Sequence, residues 1–571
     1  MASLNETPAH CRPMAFWFWN GLLDAKTLCA QARMMREAGM DEFVIHARHG
    51  LKTAFMSEAW MAAVEAVVED AARTGMHVWI YDEVNWPSGT CGGKIPTENV
   101  DFREHYLDDA GRVRALDGIK GASPGRNVDY LNRVATEEFI RRCYEPYVSR
   151  LGKHFGKAIR GFFNDEVRFF HARPWSTSLT EPVPTGGKYF ARIGELMGEN
   201  YFRPIHDWCG KHGLELIGHV MGEESLGSQV RYVGEPYSII NLFHQPGIDH
   251  LGTAAEGLHP RVAASVSHLN GHRPVTSETF AGHPWDFKVS DLYRVSGWLY
   301  AAGVTRIILH GFYYEREGAE NKADWPPDIF YRWEHWGEIG PYLEWAGRVQ
   351  HFLTQAKAAA KVALYVPLEE FWADYQPDTS FMLDFENGPR VEGAKARKLH
   401  LALWAVGNEM VRRGIDFDFV PAKWLDRLGD RVLVVPMEGK VAFAGRQVVL
   451  GGRTAAACVD EVDRLLGARL RVSGAGAEPK PLEPGERLSD PHLHTVRDEG
   501  GVHARTLVYE GKPAHLIWNA NAETFRGRVD LGEARTWKLW RPDTGEERGL
   551  GSVREMEIEL PAYRMAVLLA T

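Results

Sequence analysis

No run of about 18 apolar residues occurs in the sequence, so nothing in it reads as a membrane-spanning helix. The six cysteines (Cys11, Cys29, Cys91, Cys143, Cys209 and Cys458) lack CxxC spacing. That argues against a zinc ribbon or a disulfide frame and fits buried thiols in a reducing cytoplasm. There is no Lys/Arg block and the formal net charge is −10, which disfavours a nucleic-acid partner. GxGxxG and GxxxxGK[ST] turns are missing, so an open nucleotide-binding sheet would lack its phosphate loop. HExxH and EF-hand spacings are missing as well, which disfavours a zinc hydrolase and a ready-made calcium loop. The opening stretch Met1–Pro13 has no basic segment leading into an apolar one, so no secretory leader is expected.

What is present is an ordinary globular composition, 44% hydrophobic and 25% charged over 571 residues, enough for two to four domains. The 19 Trp and 24 His crowd towards the first 350 residues. Aromatic faces suit the apolar faces of sugar rings, and His with carboxylates suits their hydroxyls.

One local pattern repeats through that region. An amphipathic helix stops at a glycine, and a short β-rich run then ends at an ionisable group. Leu28, Ala32 and Met35 precede Gly39, and Asp41–Ile45 leads to His46. Trp60, Val64, Val67 and Ala71 precede Gly75, and His77–Tyr81 leads to Asp82 and Glu83. Gly213 and Gly303 introduce runs that end at His219 and His310. A helix that ends at glycine and feeds a strand is the unit of a parallel α/β sheet. Strands are predicted at Met14–Trp19, Glu42–Ile45, Val78–Tyr81, Ile159–Phe163, Glu215–Ile217, Ser238–Phe243, Pro274–Thr276 and Arg306–Leu309. Eight strands of this kind favour a (β/α)₈ TIM barrel over residues 1–355. The largest insertion, Pro87–Val134, falls where a barrel places substrate-facing loops. A small, non-catalytic α/β (amidotransferase-like) domain is expected over 356–475. A C-terminal β-sandwich is expected over 476–571, where the helical period vanishes.

Active sites of such barrels lie at the C-terminal strand ends. Gly161-Phe-Phe-Asn-Asp-Glu166 closes the fourth strand and Val275-Thr-Ser-Glu278 the seventh. These strands lie on opposing sides of the mouth, so Glu166 and Glu278 can flank one ring. Glycoside hydrolysis needs such a pair: Glu166 as proton donor, Glu278 as nucleophile or base. Asp82, Glu83, His46, Asn164, Asp165, His219, Glu223 and His310 are candidates for sugar hydroxyls, with Trp86, Trp19 or Tyr313 against the ring. Arg48, His49 and Glu224 belong to the same strand ends. Asp82, Glu83, Asn164, Asp165 and Glu223 form an oxygen-rich set of the kind that holds Ca²⁺. Two other readings are a barrel that binds sugar without cleaving it, and a lyase or isomerase with His219 or His310 as base.

Phe16-Trp-Phe-Trp-Asn-Gly21, Tyr81-Asp-Glu-Val-Asn-Trp-Pro-Ser-Gly89 followed by Gly92-Gly93, Asp129-Tyr-Leu-Asn132 and Gly161-Phe-Phe-Asn-Asp-Glu166 together resemble glycoside hydrolase family 106, which contains α-L-rhamnosidases. The resemblance runs from Pro13 to Glu317. It implies a (β/α)₈ catalytic barrel, inversion, an acid at Glu166, a base at Glu278 and calcium near the site. The chain is shorter than members typical of that family. A barrel followed by a small α/β domain and a β-sandwich also resembles the family 42 β-galactosidases, whose middle domain helps form trimers; that likeness implies a homo-oligomer. The expected substrate is a small oligosaccharide or glycoside.

Overall fold

The computed structural model describes residues 4–116, 127–252, 254–316, 324–376, 393–437, 448–450, 454–477 and 501–571. Residues 117–126 of the long insertion therefore lie outside the described residues.

Eight strands build the barrel: β1 Met14–Gly21, β2 Glu42–Leu51, β3 His77–Val84, β4 Ile159–Val167, β5 Glu215–Val220, β6 Gly247–Leu251, β7 Thr276–Ala281 and β8 Arg306–Tyr313. They pair in parallel in the order β5-β4-β3-β2-β1-β8-β7-β6. The ring is drawn together between β5 and β6 by the segment just before β6, where His244 N donates to Leu216 O at 2.8 Å. Glycine permits the close approach of β4, β5 and β6 here. A Cβ on Gly218, which has φ +128°, would sit 1.8 Å from Asn164 O, and one on Gly247 would sit 2.2 Å from Gly218 O.

The helices between strands follow their sequence signals. α1 (Ala25–Ala38) is capped by Asp24, whose side chain accepts from Thr27 N, and stops at left-handed Gly39. It buries Leu28, Ala32 and Met35. α2 (Glu58–Thr74) is capped by Ser57, stops at left-handed Gly75 and buries Trp60, Val64, Val67 and Ala71.

One predicted strand is corrected. Ser238–Phe243 is not the sixth strand: Pro236–Ile240 is a short helix, with Glu235 accepting from Tyr237 N and Ser238 N. Proline at the first helical position and an acidic cap outweigh the apolar run. The sixth strand is β6, a few residues later.

Alternation along β1 separates two layers. Phe16 and Phe18 point inward and join Val44, Trp79, Tyr81, Phe163, Ile217 and Ile308 in the barrel interior. Trp17 and Trp19 point outward into the core beneath the helices. At the N-terminal end of the barrel, Glu42 accepts from Arg306 and sits 3.1 Å from His77 Nδ1.

The α/β unit has β9 Val362–Val366, β10 Phe417–Pro421, β11 Val432–Val435 and β12 Val448–Leu450, parallel in the order β10-β9-β11-β12. The C-terminal unit has β13 Arg471–Ser473, β14 Val502–Tyr509, β15 Lys512–Asn519, β16 Phe525–Trp540, β17 Glu547–Leu560 and β18 Met565–Ala570. It is one antiparallel path, β14-β15-β18-β16-β13 with β17 on β16. A register break between Asp530 and Arg535 lets the two halves of β16 pair with β13 and β18. Leu516, Trp518, Val567 and Leu569 on one face join the core shared with the barrel. Ile517, Leu539, Ala566 and Leu568 on the other join a second core of the β unit itself. Among the described residues no helix is long and apolar enough to cross a membrane.

Candidate active site

The inner aromatic layer forms the floor of a cup at the C-terminal strand ends, and ionisable side chains sit on it in three groups.

The first group centres on His219, from β5. Its Nε2 lies 3.2 Å from Glu278 Oε2 and 3.3 Å from Asp165 Oδ1, while Nδ1 lies 3.4 Å from Val220 O and 4.0 Å from Glu223 Oε1. Burial pulls the imidazole pKa down, but the Glu278 hydrogen bond and the charges of Asp165, Asp249 and Glu223 win, and it is raised well above its ordinary value. His219 is thus an imidazolium. Glu278 is 6% exposed. Burial pushes its pKa up to about 7, against the pull of His219. Tyr81 OH donates to Asp165 Oδ2 at 2.7 Å, and Asp165 N donates to Ser88 Oγ at 2.8 Å. Glu166, next along β4, has φ +43°. Arg168 Nη1 donates to its Oε2 at 2.7 Å. Burial raises the Glu166 pKa, and Arg168 opposes that rise. Glu223 is buried, Oε1 has no hydrogen-bond partner among the described residues, and burial holds its pKa well above the ordinary value.

The second group centres on Arg48. Its Nη2 pairs with Asp324 Oδ1 at 2.9 Å, and its nitrogens lie 3.2 Å from His46 Nε2 and 3.4 Å from His310 Nε2. The guanidinium lies over Phe18 at 4.3 Å and over half-buried Trp86 at 4.7 Å. His46 stacks on Tyr81 with ring centroids 3.6 Å apart. Burial, with Arg48 alongside, drives the pKa values of His46 and His310 well down, so both are neutral.

The third group lies beneath the Trp86–Gly93 loop and is consumed by the protein itself. Glu83 accepts from the backbone N–H groups of Val84, Thr90, Cys91 and Gly92. Asp82 accepts from Ser88 Oγ at 2.6 Å, from Asn164 Nδ2 at 2.8 Å and from Tyr144 OH. These contacts displace the expectation that Asp82 and Glu83 hold sugar hydroxyls: they aim the loop. Asn164 also donates to Tyr201 OH at 2.8 Å, while its Oδ1 is buried with no partner among the described residues.

Two ring candidates are likewise replaced. Trp19 packs edge-on against Trp17 and Trp60 outside the barrel wall, because the β1 alternation that puts Phe18 inside puts Trp19 outside. Tyr313 is fully buried in the floor, with its hydroxyl donating to Trp325 O at 2.6 Å. His49 is exposed.

The residues expected to hold calcium fall in two places, Asp82 with Asn164 beneath the loop and Asp165 with Glu223 around His219. Asp82 and Glu83 are saturated by donors, and the ligand atoms that converge belong to Asp165, His219 and Glu278, within 4.8 Å of one another. Two carboxylates and an imidazole supply fewer than the six to eight oxygens calcium takes, and no step is assigned to that ion. Two members of the cup carried no sequence signal in the pairing they adopt. Arg168 lies outward of the strand-end motif. Asp249 lies on the strand that was misplaced, although Gly-Ile-Asp-His-Leu251 has the apolar-then-ionisable form of the other strand ends.

No protein-family profile matches the chain. A protein of Formosa agariphila provisionally named a beta-glucuronidase is 24% identical over 290 residues, covering 45% of this chain and 24% of that protein, so the match spans about a quarter of that relative. Among solved structures, a rhamnosidase from Novosphingobium sp. PP1Y superposes with TM-score 0.63 at 12% identity, over 100% of this chain and 83% of that one. A catalytic mutant of a GH42 beta-galactosidase from G. stearothermophilus superposes with TM-score 0.57 at 12% identity, over 97% and 98%. At such identities the likeness is one of fold: a TIM barrel with a C-terminal β unit.

Proposed function

We propose that the protein is an exo-acting glycoside hydrolase that removes a terminal sugar from a small oligosaccharide or glycoside, with Glu166 as proton donor and Glu278 as base or nucleophile. The observation that carries this reading is the pair of buried carboxyl groups on β4 and β7, both with pKa values raised by burial, with His219 hydrogen-bonded to Glu278 and its charge pulling against that rise in both. A raised pKa keeps Glu166 able to protonate a leaving oxygen near neutrality. The imidazolium holds Glu278 closer to its ionised form than burial alone would. Arg48 and Trp86 supply a face for the ring. The charge state of His219 and the Arg48 bond to His310 count against either histidine as the base of a lyase or isomerase.

An α-L-rhamnoside-like sugar is the favoured substrate. It is supported by the strand-four and WPSG-containing motifs and by the full-length superposition on the rhamnosidase. A retaining β-galactosidase-like enzyme is the second reading, favoured by the near-complete mutual coverage with the GH42 structure. Six free thiols, five of them buried, suit a reducing cytoplasm.

The test is a panel of nitrophenyl α-L-rhamnosides, β-D-galactosides and β-D-glucuronides. Wild type should release phenol from one of them. Glu278→Gln should lose about 10²–10⁴-fold in kcat. Glu166→Gln should lose much less on this good leaving group than on an alkyl glycoside. The anomer released first, read by NMR, separates inversion from retention. Thermal stabilisation by a monosaccharide with no phenol released would make the protein a sugar-binding barrel and overturn the proposal.

A further inference from the structure

Asp249 sits in the middle of β6, and the catalytic roles assigned above leave it unused. In the parallel register it stands directly beside Glu278 of β7. Paired residues of neighbouring strands leave a sheet on the same face, so both carboxyl groups enter the cup. The strand has little freedom to turn Asp249 elsewhere. Gly247, two residues earlier, packs against Gly218 of β5 too closely to admit a Cβ. On the opposite face, His250 Nδ1 lies 3.2 Å from His259 Nε2, and its ring lies 4.7 Å from that of Trp298.

Asp249 is 6% exposed, yet its Oδ1 has no hydrogen-bond partner among the described residues. A buried acceptor left open is costly. A site shaped to a substrate hydroxyl carries that cost until the hydroxyl arrives, and then rejects analogues that lack it. The neighbouring groups do not fill the gap. None of Glu278, Asp165 and Glu166 hydrogen-bonds to Asp249 Oδ1, and His219 Nε2 is already shared between Glu278 and Asp165. The missing partner is a neutral donor, and a sugar bound for attack next to Glu278 brings several.

We propose that Asp249 is a specificity-determining residue, its open carboxyl oxygen accepting a hydrogen bond from one hydroxyl of the terminal sugar. This rests on the glycosidase reading and extends it to a named contact.

The experiment uses the nitrophenyl glycoside that wild type hydrolyses and the monodeoxy series of that sugar, with Asp249→Ala and Asp249→Asn. On the parent substrate the alanine variant should lose at least about tenfold in kcat/KM. The asparagine variant, which keeps an acceptor oxygen, should lose less. For one monodeoxy substrate the gap between wild type and Asp249→Ala should close, while for the others it persists. A gap of equal size for every deoxy substrate, or no loss on the parent, overturns the proposal and leaves the glycosidase standing. Release of phenol by no wild-type reaction overturns the glycosidase reading and this contact with it. Should the alanine variant fail to fold, Asp249→Leu, which also removes the acceptor but keeps more of the volume, carries the same comparison.

Discussion

One protonated imidazole governs ionisation in the cup, and that has consequences for rate against pH. Glu278 must be ionised to act as base or nucleophile, so its pKa of about 7 sets the acidic limb of kcat/KM. His219 lowers that pKa. Its replacement in His219→Gln removes a positive charge 3.2 Å from the carboxylate, so the acidic limb should move to higher pH by about one unit or more. An unmoved limb would remove His219 from that role. Arg168 does the corresponding work on Glu166, which must be protonated to act. Arg168→Gln removes the cation 2.7 Å from Glu166 Oε2, so the Glu166 pKa rises further and the alkaline limb should move up while the acidic limb stays. Arg168→Gln is thus read on the alkaline limb alone, whereas His219→Gln, whose charge also pulls the Glu166 pKa down, should move both limbs up; an acidic limb moved by Arg168→Gln would refute the assignment of roles.

At the scale of elements, the loop after β3 shows how a strand-end motif can be read correctly for place and wrongly for purpose. Tyr81-Asp-Glu-Val-Asn-Trp-Pro-Ser-Gly89 does end a barrel strand. Its acids, however, point back into the loop, where one carboxylate meets four backbone donors. Glu83→Gln keeps the shape but turns an amide N–H₂ towards some of those donors. We expect a loss of about 2–4 kcal/mol in urea unfolding, with KM raised because Trp86 is carried by the same loop. A loss below about 0.5 kcal/mol, the size of an ordinary surface change, would show that the loop holds itself. Most of the barrel was legible because each helix–glycine–strand unit repeats signals that depend only on near neighbours: Asp24 and Gly39 around α1, Ser57 and Gly75 around α2. What was not legible depends on partners far along the chain. Ser238–Phe243 has the apolar run of a strand, but Glu235 and Pro236 start a helix there. β6 is short, and its pairing with β7 is what makes it a strand. Asp249 was lost with it. Glu166 could be named because it closes an apolar run, and Glu278 because it follows the short run placed seventh in the series. That His219 would sit between Asp165 and Glu278 is a property of the closed ring, visible only once β4, β5 and β7 curve around one axis.

Across the whole molecule, the barrel, the α/β unit and the inner face of the β unit share one continuous apolar core. A polar junction pins the three together. Arg261, on a barrel helix, donates to Asp416 Oδ1 at 2.6 Å, just before β10. Arg505, on β14, places Nε 3.5 Å from Asp416 Oδ2 and donates to Tyr300 O at 3.2 Å. All three side chains are less than 10% exposed. Removing the carboxylate leaves two guanidinium groups facing each other in a dry interface, a change that costs about 3–5 kcal/mol when a buried pair is broken. Tyr300 lies in the last turn of the helix that feeds β8, and the hydrogen bonds of Arg261, Asp416 and Arg505 go to one another, to Phe417 O and to Tyr300 O rather than to the cup. Asp416→Ala should therefore lower stability by about that amount in urea while kcat/KM on the chosen glycoside stays within about twofold of wild type. The transition should remain single, because the shared core couples the units. If instead the variant unfolds in two resolved steps and activity survives the first, the barrel stands without the other two units and their shared core does not hold the cup together.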